Sequence, residues 1–70
     1  MKFDYTLLKE LIAEKFGKHY VFAAEMDMSA KTLSLKLNNN ADWSQREISR
    51  ALQLLEIDGS MVNEMFFKYI

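Results

Sequence analysis

Residues able to do covalent chemistry are scarce in this chain. It has one histidine, His19, and no cysteine, so neither a thiolate nucleophile nor a His or Cys metal set can be assembled. Carboxylates are present, but pairs such as Glu10 and Glu14 stand four residues apart in a helical pattern and read as charges on a solvated face. The two glycines form no phosphate-cradling loop. An enzyme is not expected, and no metal or cofactor is called for. What remains is a set of cations, amides and hydroxyls, Lys31, Ser34 and Asn38 among them. Their chemistry is hydrogen bonding.

The elements that position these groups follow from composition. Seventy residues make one domain, residues 1–70, with 50% hydrophobic content, nine Lys plus Arg against ten Asp plus Glu, no proline and five methionines. At this size a fold buries only about 60% of its unfolded surface, so a well-packed core or a second subunit is expected, and a homodimer is the expectation carried forward. The methionines read as gap-filling core residues. The absence of cysteine removes disulfide staples and leaves a reducing compartment and a redox-indifferent chain equally open. Scarce glycine with abundant Leu, Met, Lys, Glu and Ala favours an all-α fold. No apolar run reaches the ~18–20 residues that cross a bilayer, and Met1-Lys2-Phe3-Asp4 lacks a secretory layout, so a soluble, cytoplasmic protein with no membrane partner is expected.

Periodicity predicts five helices. The first covers residues 5–16, with Tyr5, Leu8, Leu11, Ile12 and Phe16 at spacings of three and four, Asp4 as cap and Gly17 as a left-handed stop. A second fits residues 18–26, where Phe22, Ala23 and Met26 share a face, and it turns at Asp27-Met28. Ser29 caps a third over residues 30–37, whose inward stripe is Ala30, Leu33 and Leu37, and Asn38-Asn39-Asn40 ends it. Ser44-Gln45-Arg46-Glu47 is a capping box, with Trp43 and Ile48 as its hydrophobic staple, and it opens the fourth helix through Ile48, Ala51, Leu52 and Leu55. After Ile57-Asp58-Gly59, Ser60 is placed to cap a short fifth helix ending at Met65 or Phe66. The tail, residues 66–70, is too apolar for a free end.

Two short helices joined by a tight turn, with a small residue inside the first, a hydroxyl residue opening the second and an apolar anchor four residues later, form a helix-turn-helix over about residues 18–38. The run His19-x-x-Phe22-Ala23-x-x-Met26-Asp27-Met28-Ser29-x-x-x-Leu33-Ser34-x-x-Leu37-Asn38 resembles the phage-repressor-like helix-turn-helix family of the Cro and lambdoid-repressor type. Over nearly its whole length the chain looks like the small Cro-like proteins of phages and prophages of Gram-positive bacteria. Asp27 and Asn39 stand where that family commonly has glycine, and both residue types tolerate a positive φ.

The resemblance implies a sequence-specific transcriptional regulator, a repressor or activator, that binds double-stranded DNA as a dimer with its third helix in the major groove. Lys31, Ser34, Leu35 and Asn38 share one face of that helix, with Leu33, Leu37 and Ala30 toward the opposite side. Lys31 is suited to guanine O6 or N7, Ser34 to more than one base edge, and Ala30 and Leu35, at positions that commonly touch bases in the family, to thymine methyl groups. Leu35 reads equally as a rim residue packed on a neighbour. Lys18, His19, Thr32, Lys36, Asn38, Asn39, Asn40, Ser44 and Arg46 are the expected phosphate contacts, with the Trp43 N–H and Gln45 as further candidates. The competing readings are a surface histidine for His19, cap and staple for Ser44 and Trp43, and a helix end with a solvated loop for Asn38, Asn39 and Asn40.

Charge tempers this expectation. The chain carries −1 overall, but residues 18–41 hold Lys18, Lys31 and Lys36 against Glu25 and Asp27, while residues 42–70 hold three cations and five acids. The DNA-facing segment is thus weakly basic, which predicts modest affinity and a shallow salt dependence, recovered by dimerisation. Phe67, Tyr69 and Ile70 are the expected dimer contacts, with Met65 and Phe66 closing the core. The alternative is a protein-interaction module of the same fold, antirepressor-like, that binds a repressor protein rather than DNA. The net negative charge and the apolar Leu35 support it.

Overall fold

Asp4, expected from the sequence as the cap, stands one residue before the N-cap of the first helix, Tyr5, which supplies no side-chain cap bond. In the computed structural model, which describes residues 2–70, the Asp4 carboxylate accepts hydrogen bonds from the Thr6 N–H at 2.9 Å and the Thr6 hydroxyl at 2.6 Å. One orphan donor of the first turn is thereby satisfied. The same bonds, chiefly the hydroxyl's, hold the Asp4 carboxyl below its ordinary value. Helix α1, Thr6–Phe16, turns Leu8 and Ile12 fully inward. It stops at Gly17, but not by the left-handed cap expected from the sequence. With φ 77° and ψ −61°, Gly17 centres a γ-turn closed by Lys18 N–H to Phe16 C=O at 2.9 Å.

The next three helices share one way of ending. Helix α2 is His19–Glu25, α3 is Ala30–Leu37 and α4 is Gln45–Leu54. After α2, Met28 N–H reaches Ala23 C=O at 3.0 Å and Asp27 N–H reaches Ala24 C=O at 3.1 Å. After α3, Asn40 N–H bonds Leu35 C=O at 2.8 Å and Asn39 N–H bonds Lys36 C=O at 3.3 Å. After α4, Ile57 N–H bonds Leu52 C=O at 2.9 Å and Glu56 N–H bonds Gln53 C=O at 3.2 Å. Each is a Schellman motif, and each puts a residue other than glycine in the left-handed position: Asp27 at φ 57°, Asn39 at φ 63° and Glu56 at φ 55°.

Helices α3 and α4 start at side-chain oxygens, whereas α2 starts at Lys18 with no side-chain cap. Ser29 accepts from the Thr32 N–H at 3.0 Å, and the Ser44 capping box is closed in both directions, at 3.1 Å from the Glu47 N–H and 2.8 Å from the Ser44 N–H. The last start differs from the sequence reading. Asp58, not Ser60, is the cap: it accepts from the Ser60 N–H at 3.4 Å and opens a 3₁₀ turn, Gly59–Met61, which leads into α5, Val62–Phe66.

These five helices form an all-α fold with no extended sheet among the described residues. Helix α1 packs on α2 and α5, α2 on α3, and α4 on α5. Phe22, Phe66, Leu8, Ile12, Leu33, Leu55 and Met65 are fully buried at the centre. Each of these side chains contributes roughly 1.5–3 kcal/mol by leaving water. Aromatic contacts seal two edges of this core. Phe16 meets Phe22 at 5.2 Å and Trp43 meets Phe66 at 5.1 Å, both edge-on. No helix among the described residues is long and apolar enough to cross a membrane.

Candidate functional site

Helix α3 carries the residues singled out for recognition, and its two faces differ sharply. Leu33 and Leu37 are buried against the core. Ala30, expected in the inward stripe, lies at the first turn of α3 and is instead exposed with Lys31 and Ser34, and Leu35 is 39% exposed beside them. The turn before α3 is held by Asp27 and the Ser29 cap, so the outward face sits on a rigid start. Thr32 is half-buried, and its hydroxyl accepts from Ser29 Oγ at 2.9 Å.

Two expected phosphate contacts are committed elsewhere. Lys36 is only 8% exposed. Its ammonium donates to the Asp42 C=O at 2.6 Å, lies 2.9 Å from a Glu47 carboxylate oxygen, and sits 6.0 Å from the centre of the Trp43 ring. Partial burial pushes the Glu47 carboxyl up, but the Ser44 N–H and the Lys36 ammonium outweigh it and hold it below its ordinary value. Lys36 therefore ties α3 to the start of α4 instead of reaching outward.

Asn39 is the second correction. Its side-chain oxygen accepts from the Phe3 N–H and its amide donates to the Phe3 C=O, both at 2.9 Å. The amide thus imitates a neighbouring strand, and both ends of it are used.

The other candidates divide by exposure. Lys18, His19, Asn40 and Arg46 are exposed. Asn38 is exposed and donates to Ser34 Oγ at 3.3 Å. The Ser44 hydroxyl accepts within its capping box. The Trp43 indole N–H is buried with no hydrogen-bond partner among the described residues, so it faces no solvent-side ligand. Phe67, Tyr69 and Ile70 are exposed, and Tyr69 stacks on Phe3 at 5.1 Å while Phe67 meets Phe3 edge-on at 5.9 Å.

Sequence reasoning overlooked Tyr20 and Val21. Both are exposed on α2, Tyr20 at 63%. The signal was present: if Phe22, Ala23 and Met26 point inward, residues 20 and 21 fall on the outer side of a helix. The exposed large apolar side chains of α2 and α3 are therefore Tyr20, Val21 and Leu35, and Lys31 is the one cation left exposed on α3. Among the described residues no group of three or more His, Asp or Glu stands where a metal ion could be held. An open groove of about 670 Å³ between α1 and α5 includes Asp4, Glu10 and Glu64 but no histidine.

Known proteins with this shape include the modulator of repression of the temperate bacteriophage TP901-1 from Lactococcus lactis. Its solution structure matches with a TM-score of 0.82 and 40% identity, over 96% of this chain and 90% of that one. No curated protein sequence matches. The similarity is thus to a small phage regulatory protein, and no catalytic family is indicated. A family described as a protein of unknown function, DUF739, matches residues 1–69, and the chain belongs to that family.

Proposed function

We propose that this protein is a phage-type regulator that acts by binding a repressor protein through the outward surface of α2 and α3. The observation that carries this reading is the pairing of an exposed Leu35 with a withdrawn Lys36 on the helix that would otherwise read DNA. Phosphate affinity grows with the number of cations that displace counterions, and α3 retains only Lys31 for that purpose. Exposed Tyr20, Val21 and Leu35 are suited instead to an interface core, where aromatic and aliphatic side chains leave water against a partner. The similarity to a protein described as a modulator of repression fits a regulator that acts on repression.

A second reading keeps the Cro-like role, with α3 in the major groove. It is favoured by the exposure of Ala30, Lys31 and Ser34 at the start of a rigidly capped helix. One experiment separates the two. The protein, and separately a phage-type repressor, are titrated onto that repressor's operator DNA in a gel shift, and calorimetry measures the protein against the repressor. Direct binding to the repressor, with no shift by the protein alone at low salt, is expected. A specific, salt-sensitive shift by the protein alone, lost in Lys31→Ala, overturns the proposal in favour of the second reading.

A further inference from the structure

The backbone segments around Phe3 and Tyr69 pair with each other. Asp4 N–H donates to Lys68 C=O at 2.6 Å and Ile70 N–H donates to Lys2 C=O at 3.2 Å. These bonds flank the antiparallel pair Phe3 and Tyr69. In that register Phe3 and Tyr69 do not bond each other, so the N–H and C=O of each point to the two outer edges of the ribbon. The Phe3 edge is closed, because the Asn39 amide occupies both groups at 2.9 Å. The Tyr69 edge is open: among the described residues neither its N–H nor its C=O has a hydrogen-bond partner. Beside it, Phe67, Tyr69 and Ile70 are exposed, Tyr69 at 61% and Ile70 at 83%. An unpaired edge with apolar side chains is a template for another strand.

We infer that the Tyr69 edge pairs with the same edge of a second copy of this chain, making a two-fold dimer whose centre is a four-stranded antiparallel ribbon. Tyr69 and the second copy's Tyr69 exchange N–H to C=O bonds in both directions about the two-fold axis. This register sets Lys68 opposite the second copy's Ile70, so no like charges meet, and each Lys68 ammonium keeps its own Asp4 carboxylate at 4.0 Å. The Phe3 and Tyr69 stack of each copy continues into a row of four rings on one face of the ribbon. The closed Phe3 edge also limits growth. With Asn39 covering it, edge pairing ends at two copies instead of propagating into a filament.

Sedimentation equilibrium of the full chain from micromolar to millimolar concentration tests this, with amide hydrogen exchange read at Tyr69. Tyr69→Pro removes the outward donor and leaves the Asp4 and Ile70 bonds in place; Tyr69→Phe keeps both donor and ring. Expected are a dimer in the wild type and in Tyr69→Phe, association weakened at least about tenfold in Tyr69→Pro, and Tyr69 amide protection that rises with concentration. Three outcomes each overturn the inference: a monomer at every concentration, a dimer equally tight in Tyr69→Pro, or a wild-type dimer whose Tyr69 amide stays unprotected. Protection of Tyr69 only on addition of the repressor also overturns it, and gives the edge to that partner. Circular dichroism checks that Tyr69→Pro keeps its helices; if it does not, exchange at Tyr69 in the wild type decides alone.

Discussion

The Lys36 ammonium lies 2.9 Å from the Glu47 carboxylate, and this pair joins the end of the would-be reading helix to the capping box of the next one. The lysine that a sequence reading assigns to phosphate thereby becomes an internal strut. Glu47 serves two elements at once, closing its own helix start and neutralising the side chain that would have made the neighbouring face basic.

Replacing Lys36 by Met should lower stability by about 1–3 kcal/mol, since a half-buried carboxylate loses its charged partner. Affinity for any partner of the outward α2 and α3 surface should stay within about twofold, a difference of roughly 0.4 kcal/mol. Urea unfolding and binding calorimetry on the same variant check both halves.

Acid should weaken the fold through the same pair. Glu47 titrates below its ordinary value when folded, so it favours the native state fully above the ordinary carboxylate value. That contribution fades as pH falls through the ordinary value toward the lower folded one. Asp4 and Glu56 are shifted in the same direction, by hydrogen bonds to Thr6 and to Lys15 respectively, and fade over the same window. Thermal unfolding followed from pH 6 to pH 3 should show a smaller loss in Glu47→Gln than in the wild type.

Asn39→Gly separates two roles of one residue. Glycine suits φ 63° better than asparagine, so backbone preference alone predicts a gain. Loss of the two bonds to Phe3 predicts a net destabilisation of about 1–2 kcal/mol. A higher midpoint in urea for Asn39→Gly would show that the side-chain clasp contributes less than the backbone strain it accompanies.

Asp27→Gly should do the opposite. Asp27 holds a left-handed conformation at φ 57°, and relieving it should add about 1 kcal/mol. For a domain of this size that corresponds to a rise in melting temperature of roughly 4–8 °C. Glu56→Gly should gain less, because it also removes the exposed ion pair with Lys15 at 2.9 Å.

What the sequence made legible was local. Ser29 and the box from Ser44 to Glu47 announce their helix starts because cap and N–H lie within three residues. Asp27 and Asn39 were readable as turn residues because their types tolerate a positive φ, whereas nothing local marks Glu56 for the same conformation. Asp58 and Ser60 are both credible caps two residues apart, and only the inserted 3₁₀ turn decides between them. The candidate site was misread where partners are distant. Asn39 meets Phe3 from 36 positions away, and Lys36 meets Glu47 across a loop. A side chain's availability for a ligand depends on such contacts, which residue type and helical spacing do not encode.

The most direct test of the account is a titration of the isotope-labelled full chain with a phage-type repressor, followed by amide chemical shifts and repeated with that repressor's operator DNA. Shifts clustered at Tyr20, Val21, Lys31, Ser34 and Leu35 on adding repressor, abolished in Leu35→Glu and absent with DNA alone, are predicted. Shifts in that cluster on adding operator DNA alone, with no response to repressor, would contradict it.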